Sequence, residues 1–240
     1  MENIMIACIR CAAAATLLTS PAFGDVHIGV IPENQVVALC DEVEIHLVVS
    51  STDGAPQPFD ALDAILTWDP AHLELLSIDD SNAGASFFIS DFLPDPDGIN
   101  DDTTDGEAIY TAFAQPGTTV EAPPLPDELI VTTFVFRAVS VAPTGTTVAL
   151  IPSQGVFGQT QVLLAGANIT GPINHEADVI IAACVGDFDL NGEVNVDDLL
   201  QLLTAWGPCL DECCIEDLDG NGLVDVTDLL ALLATWGTCP

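Results

Sequence analysis

Two stretches near the C-terminus place oxygens at identical intervals: Asp187-Phe-Asp-Leu-Asn-Gly-Glu-Val-Asn-Val-Asp-Asp198 and Asp217-Leu-Asp-Gly-Asn-Gly-Leu-Val-Asp-Val-Thr-Asp228. Each has a carboxylate or amide at its first, third, fifth, ninth and twelfth positions and glycine at its sixth. A hard dication such as Ca²⁺ takes six to eight oxygens at about 2.3–2.6 Å, and a twelve-residue loop with this spacing wraps them around one ion. In the first loop the expected side-chain ligands are Asp187, Asp189 and Asn191. The Glu193 carbonyl supplies the backbone ligand, Asn195 acts directly or through water, and Asp198 closes the shell. The second loop offers Asp217, Asp219, Asn221, the Leu223 carbonyl, Asp225 and Asp228. Gly192 and Gly222 stand at the sharp turn, where a residue without Cβ is favoured. The expectation is two Ca²⁺ ions. The offset of 30 residues holds throughout, which marks a duplicated unit and argues against two chance acidic turns.

The elements that position these loops follow directly. Val196, Leu199, Leu200, Leu203 and Trp206 recur at spacings of three and four, and Val226, Leu229, Leu230, Leu233 and Trp236 repeat them, which predicts two amphipathic helices. Gly207-Pro208 and Gly237 stop them. The two stripes predict a mutual core between antiparallel helices. Val194 and Val224 are expected to join the loops through a short β-bridge. An ordinary EF-hand is not expected. The residues before Asp187 read as a strand, Asp211–Glu216 is too short for an incoming helix, and each loop closes on Asp, not Glu.

Loop plus outgoing helix, duplicated over Gly186 to Pro240, resembles the dockerin module. That resemblance implies two Ca²⁺ ions held by the residues named above, and attachment of a secreted protein to cohesin domains on other chains. Cellulosome-type dockerins often carry a small hydroxyl pair just before the closing Asp, assisted by basic side chains. Here the pairs are Val196-Asp197 and Val226-Thr227, and neither helix has a Lys or Arg, so partner specificity does not transfer. Six cysteines follow residue 24: Cys40, Cys184, Cys209, Cys213, Cys214 and Cys239. An even count in an exported chain favours disulfides. The pseudo-twofold relation of dockerin halves implies that a Cys209–Cys214 bond is matched by Cys184–Cys239, clasping the module's ends. Cys40 and Cys213 are then bonded across domains or free, and Cys40–Cys184 is the competing arrangement.

Residues 1–24, with Arg10, the apolar run Cys11 to Leu18 and small residues at Ala22 and Gly24, resemble a secretory signal peptide. The run is too short for a bilayer span of about 20 residues. A secreted location, extracellular or at the cell surface, is therefore expected, with no membrane span. Removing this segment takes away Arg10 and Glu2, one charge of each sign, so the net charge stays at −35 and Arg137 is the remaining Lys or Arg. A nucleic-acid partner is excluded on charge, because phosphate binding needs a basic surface.

Residues 25–183 read as a second, larger domain of β-structure. Val43, Ile45, Leu47 and Val49 alternate with Glu44, His46 and Val48; Leu62, Ala64, Leu66 and Trp68 alternate, as do Ile130, Thr132, Phe134 and Phe136. Turn clusters such as Ser51-Thr-Asp-Gly54 and Asp95-Pro-Asp-Gly98 separate the runs. The fold class expected is mainly β, a jelly-roll-type β-sandwich followed by the small helical calcium module at 184–240. Phe59 to Ile78, with its Trp68-Asp69-Pro70 turn leading into a Leu-rich strand, and Glu128 to Val139 resemble a cohesin domain. This implies a jelly-roll related to carbohydrate-binding modules, with a protein or glycan partner and no fixed binding motif to map.

The acidic stretch Asp91 to Glu107 reads as a solvated loop or a third ion site. His27, His46, His72 and His175 lack metal-pair spacing and read as strand or loop residues. No catalytic residue is assigned: no Ser stands between flanking glycines in an elbow, and nothing sets two carboxylates about 5–10 Å apart. The leading expectation is a non-catalytic assembly protein, docked by calcium to a cohesin-type domain or another extracellular protein. Its sandwich would bind protein or polysaccharide, in polysaccharide breakdown or cell-surface organisation. A self-associating surface or adhesion protein and a dockerin-bearing polysaccharide hydrolase are the other classes.

Overall fold

Successive side chains on a strand point to opposite faces, and the inward set of Glu42–Ser51 is Val43, Ile45, Leu47 and Val49, all essentially inaccessible to solvent. The computed structural model describes residues 25–174, 176–182, 184–209 and 214–239. The expected signal peptide, His175 and Cys213 lie outside the described residues.

Two sheets face each other. The first runs, in spatial order, Thr170–Asn174, Val26–Pro32, Glu42–Ser51, Leu129–Ala138 and Leu73–Asp79. The second runs Ala167–Asn168, Gln161–Leu164, Ala61–Thr67, Ala142–Ile151, Glu176–Ile181 and Val36–Val37, with Glu107–Phe113 also paired to Ala61–Thr67 and Ile89–Asp91 paired in turn to Glu107–Phe113. Pairing is mostly antiparallel, but Val26–Pro32 lies parallel to Thr170–Asn174 and Glu176–Ile181 parallel to Val36–Val37. The core between the sheets is one continuous cluster containing Leu62, Leu66, Trp68, Tyr110, Phe134 and Phe136. Tyr110 and Phe134 meet nearly edge to face at 5.4 Å, and Trp68 meets Phe136 at 5.3 Å. The predicted β-sandwich is present.

One alternation fails. Ile130, Thr132, Phe134 and Phe136 were expected on one face, but the register slips between Ile130 and Thr132, and Val131 is fully buried. An extra residue in one strand re-phases everything before it. The Trp68-Asp69-Pro70 turn forms as expected: the Asp69 carbonyl accepts from the His72 and Leu73 amides at 3.0 Å and launches Leu73–Asp79.

The last sandwich strand ends at Ile181, and Cys184 begins a second unit built on α1 (Val196–Thr204) and α2 (Val226–Ala234). Its core is small: Val194, Leu202, Val224 and Leu232, backed by side chains such as Phe188 and Leu218. Glu193–Val194 pairs with Gly237–Thr238, and Leu223–Val224 pairs with Gly207–Pro208. The expected Val194–Val224 bridge is thus replaced by two crossed bridges, because the chain leaving each helix returns to cover the other half's loop. Cys184–Cys239 and Cys209–Cys214 are both bonded, with Cα separations of 5.6 and 5.7 Å. The competing Cys40–Cys184 bond is ruled out; Cys40 is itself disulfide-bonded. A cleft of about 490 Å³ lies where the units meet, lined by Leu39, Val139, Val185 and Ile215 with the Arg137–Glu74 ion pair. Among the described residues no helix is long and apolar enough to cross a membrane.

Candidate metal centres

Each loop folds around its own first carboxylate. Asp187 accepts from the Asn191 amide at 3.1 Å and the Gly192 amide at 3.0 Å; Asp217 accepts from Asn221 at 3.1 Å and Gly222 at 2.7 Å. This close return needs left-handed backbone at the sixth position, where Gly192 and Gly222 have φ of 87° and 86°. The twelfth carboxylate fastens the loop to the helix. Asp198 accepts from the Phe188 amide at 2.7 Å and the Asn195 amide at 2.8 Å. Asp228 accepts from Leu218 and Asp225, both at 2.8 Å.

The result is convergence. Carboxylate oxygens of Asp187, Asp189 and Asp198 lie within 4.8 Å of one another, as do those of Asp217, Asp219 and Asp228. Asp198 and Asp228 are fully buried and Asp187 is 6% exposed. Residues 184–240 contain no Lys or Arg to offset them. Burial raises the Asp187 carboxyl above its usual range against the Gly192 and Asn191 amides that lower it, and the neighbouring charges of Asp198 and Asp189 push the same way. The Thr227 hydroxyl holds Asp219 below its usual value. Buried like charges this close are stabilised by a cation between them, and an all-oxygen donor set suits a hard dication over a thiolate-seeking metal. The residues present fit that group.

The remaining predicted ligands divide. Asn191 and Asn221 turn a side-chain oxygen to the amides of Glu193 and Leu223, both at 2.9 Å, and so stay within the loop. The Glu193 carbonyl accepts from Asn195 Nδ2 at 3.3 Å. Asn195 and Asp225 act as helix N-caps, receiving the Asp197 and Thr227 amides at 2.8 and 2.7 Å. Asp225 is outside the converging carboxylates.

The helices correct a second expectation. Leu202 and Leu232 are fully buried and Leu199 and Leu229 partly so, whereas Val196, Leu200, Leu203 and Trp206 are each about half exposed. Val226, Leu230, Leu233 and Trp236 repeat that exposure. At about 3.6 residues per turn the apolar stripe is wider than the four-residue core it meets. Only the side bearing Asp198 and Leu202 turns inward, and the rest forms a duplicated apolar face in solvent.

No family model matches the chain, and no curated protein matches it. Solved structures do. A type I cohesin–dockerin complex from Clostridium thermocellum aligns at 13% identity over 66% of this chain and 99% of that one, with TM-score 0.45. The third cohesin of ScaC in complex with the ScaB dockerin, from Acetivibrio cellulolyticus, aligns at 13% identity over 66% and 99%, with TM-score 0.47. A cohesin module of a family 33 glycoside hydrolase from Clostridium perfringens aligns at 12% identity over 66% and 96%, with TM-score 0.45. These likenesses are to cohesins.

Sequence reasoning missed two features of the site. The three-and-four spacing does not select Leu202 and Leu232 for the core, although each falls four residues after a closing Asp. The disulfides also touch the loops: Cys239 Sγ lies 3.3 Å from Asp187 Oδ2, and Cys209 Sγ lies 3.7 Å from Asp217 Oδ2. In the acidic stretch, Asp97 receives the amides of Val156, Phe157 and Gly158 on one oxygen, and Asp95 caps the turn through Asp97 and Asn100. Those carboxylates serve backbone donors and join no converging set among the described residues.

Proposed function

We propose that this chain is a secreted, non-catalytic assembly protein. Its C-terminal unit is a dockerin that binds two Ca²⁺ ions through the Asp187–Asp198 and Asp217–Asp228 loops. The sandwich belongs to the cohesin class and binds a second protein or a polysaccharide. The observation that carries this reading is the coupling of each converging carboxylate set to an exposed apolar helix face. Val196, Leu200, Leu203 and Trp206 recur 30 residues later as Val226, Leu230, Leu233 and Trp236. Metal at the loop organises the N-terminus of the helix through Asp198 or Asp228, and the helix, with the Trp two residues past its end, is presented to a partner. Exposed apolar faces rimmed by acid mark interaction surfaces. Two disulfides in so small a unit support an oxidising, extracellular setting.

The test is binding of the full chain to immobilised type I and type II cohesins, in CaCl₂ and in chelator. Capture in calcium alone is expected. The Trp206→Ala/Trp236→Ala double variant should bind about 30-fold more weakly, the size of one aromatic hot spot at about 2 kcal/mol. No capture by any cohesin, or capture indifferent to chelator, removes the docking assignment.

A further inference from the structure

We propose that Glu33, Glu44 and His46 form a second kind of metal site, for a first-row transition dication of the Zn²⁺ type, on the outer face of the five-stranded sheet. The pairing of Val26–Pro32 with Glu42–Ser51 sets Ile31 opposite His46 and Pro32 opposite Ile45. The next step brings Glu33 opposite Glu44, and the Glu33 amide donates to the Glu44 carbonyl at 2.9 Å. Glu44 and His46 are two apart on one strand, so they share the face that Val43, Ile45 and Leu47 leave to solvent. One ligand atom from each of Glu33, Glu44 and His46 lies within 4.8 Å of the others.

Two further observations favour an ion there. Like charges directly opposite across a strand pair destabilise it; the Glu44 carboxyl is raised by burial, then by the Glu33 charge and a side-chain hydrogen bond with Glu33, while the His46 charge lowers it and Asp79 raises it. Arg137, the remaining Lys or Arg after residue 24, stands opposite Glu42 and has its Nη2 2.6 Å from Glu74. The second concerns the imidazole. His46 Nδ1 is engaged by Thr133 Oγ1 at 2.9 Å, from the neighbouring strand Leu129–Ala138. A ring nitrogen held in this way orients the ring and leaves Nε2 for a metal. Imidazole with two carboxylates suits Zn²⁺ over Ca²⁺, and three protein ligands leave a position for water.

The experiment titrates ZnCl₂ into the full, disulfide-intact chain by calorimetry, in excess CaCl₂ to occupy the oxygen-only loops. Bound zinc is counted after dialysis. Wild type and a His72→Gln control should each retain one Zn²⁺ per chain. Glu33→Gln, which alters an exposed side chain, and His46→Gln should each weaken binding at least about tenfold, the lower bound for losing even an indirect partner of a ligand. The proposal is overturned if wild type retains no zinc, if either variant retains it undiminished, or if His72→Gln alone loses it.

Discussion

Val194, inside the first loop, pairs across an antiparallel bridge with Gly237, just past the second helix. Val224 and Gly207 repeat the relation in the other direction. Neither loop–helix half is therefore complete without the other, and the smallest folding unit is the pair.

The two disulfides close this arrangement over very different lengths. Cys184–Cys239 spans 55 residues and Cys209–Cys214 spans 5. Loop-closure entropy assigns about 4 kcal/mol to the first and about 2 kcal/mol to the second. Replacing Cys184 and Cys239 with Ala should lower the stability of the C-terminal unit by roughly twice as much as replacing Cys209 and Cys214. Denaturant unfolding followed by helical circular dichroism gives the comparison, and equal losses would contradict it.

Asp198 and Asp228 each join loop, helix start and converging carboxylates. Asp198→Asn and Asp228→Asn should each reduce the calorimetric stoichiometry from two Ca²⁺ to one, and the double variant should bind none. Wild type at 100 times its dissociation constant should gain about 2.7 kcal/mol from each site by linkage. A stoichiometry unmoved by either substitution would place the ions elsewhere.

Tyr110 is the chain's single tyrosine, so its ionisation can be followed without interference. Burial in the sandwich core pushes its hydroxyl up to about 12; the hydrogen bond with Ser90, at 2.8 Å, lowers it slightly, and the nearby Asp80 charge raises it. In the unfolded chain it ionises near pH 10. A raised folded value means that the stabilisation is whole below about pH 10 and is lost as pH climbs through about 12. The amount at stake is about 2–3 kcal/mol. Ultraviolet titration should show a midpoint near 12, and a midpoint near 10 would mean that the ring is not in the core.

Asn100 ties the acidic stretch to the sandwich. Its side chain donates to the carbonyls of Leu93 and Ile109 at 2.6 and 2.7 Å and accepts from the Ile109 amide at 2.8 Å. Asn100→Ala strands these backbone groups and should destabilise the sandwich by about 2–4 kcal/mol. Thermal unfolding is the measurement. A change below about 0.5 kcal/mol would show that water replaces all three bonds.

Local pattern was legible wherever one period governed burial. Glu42–Ser51 and Ala61–Thr67 turn Val43, Ile45, Leu47, Val49, Leu62, Ala64 and Leu66 to the core as their alternation predicts, although Val48 and Ile65 on the other face are buried too, and the 30-residue repeat located both loops and both helices. The pattern misled where burial depended on how much partner surface was available. Around α1 the spacing selects Leu203 and Trp206, yet the helix ends at Thr204 and the small core accepts Leu202. At Val131 a bulge changed the phase in a way that spacing alone does not encode.

The amino-acid order by itself determined which oxygens belong to which loop, because a donor set contained in twelve consecutive residues needs no distant chain to assemble it. It likewise determined a β-rich larger domain and a strongly acidic surface. Tertiary structure alone decided that the loops are covered by each other's outgoing chain and that half of each apolar stripe stays in water. It also carried Glu33 to Glu44 and His46. These relations join residues from separate segments, and their distances follow from strand register and core size, which no single stretch of chain specifies.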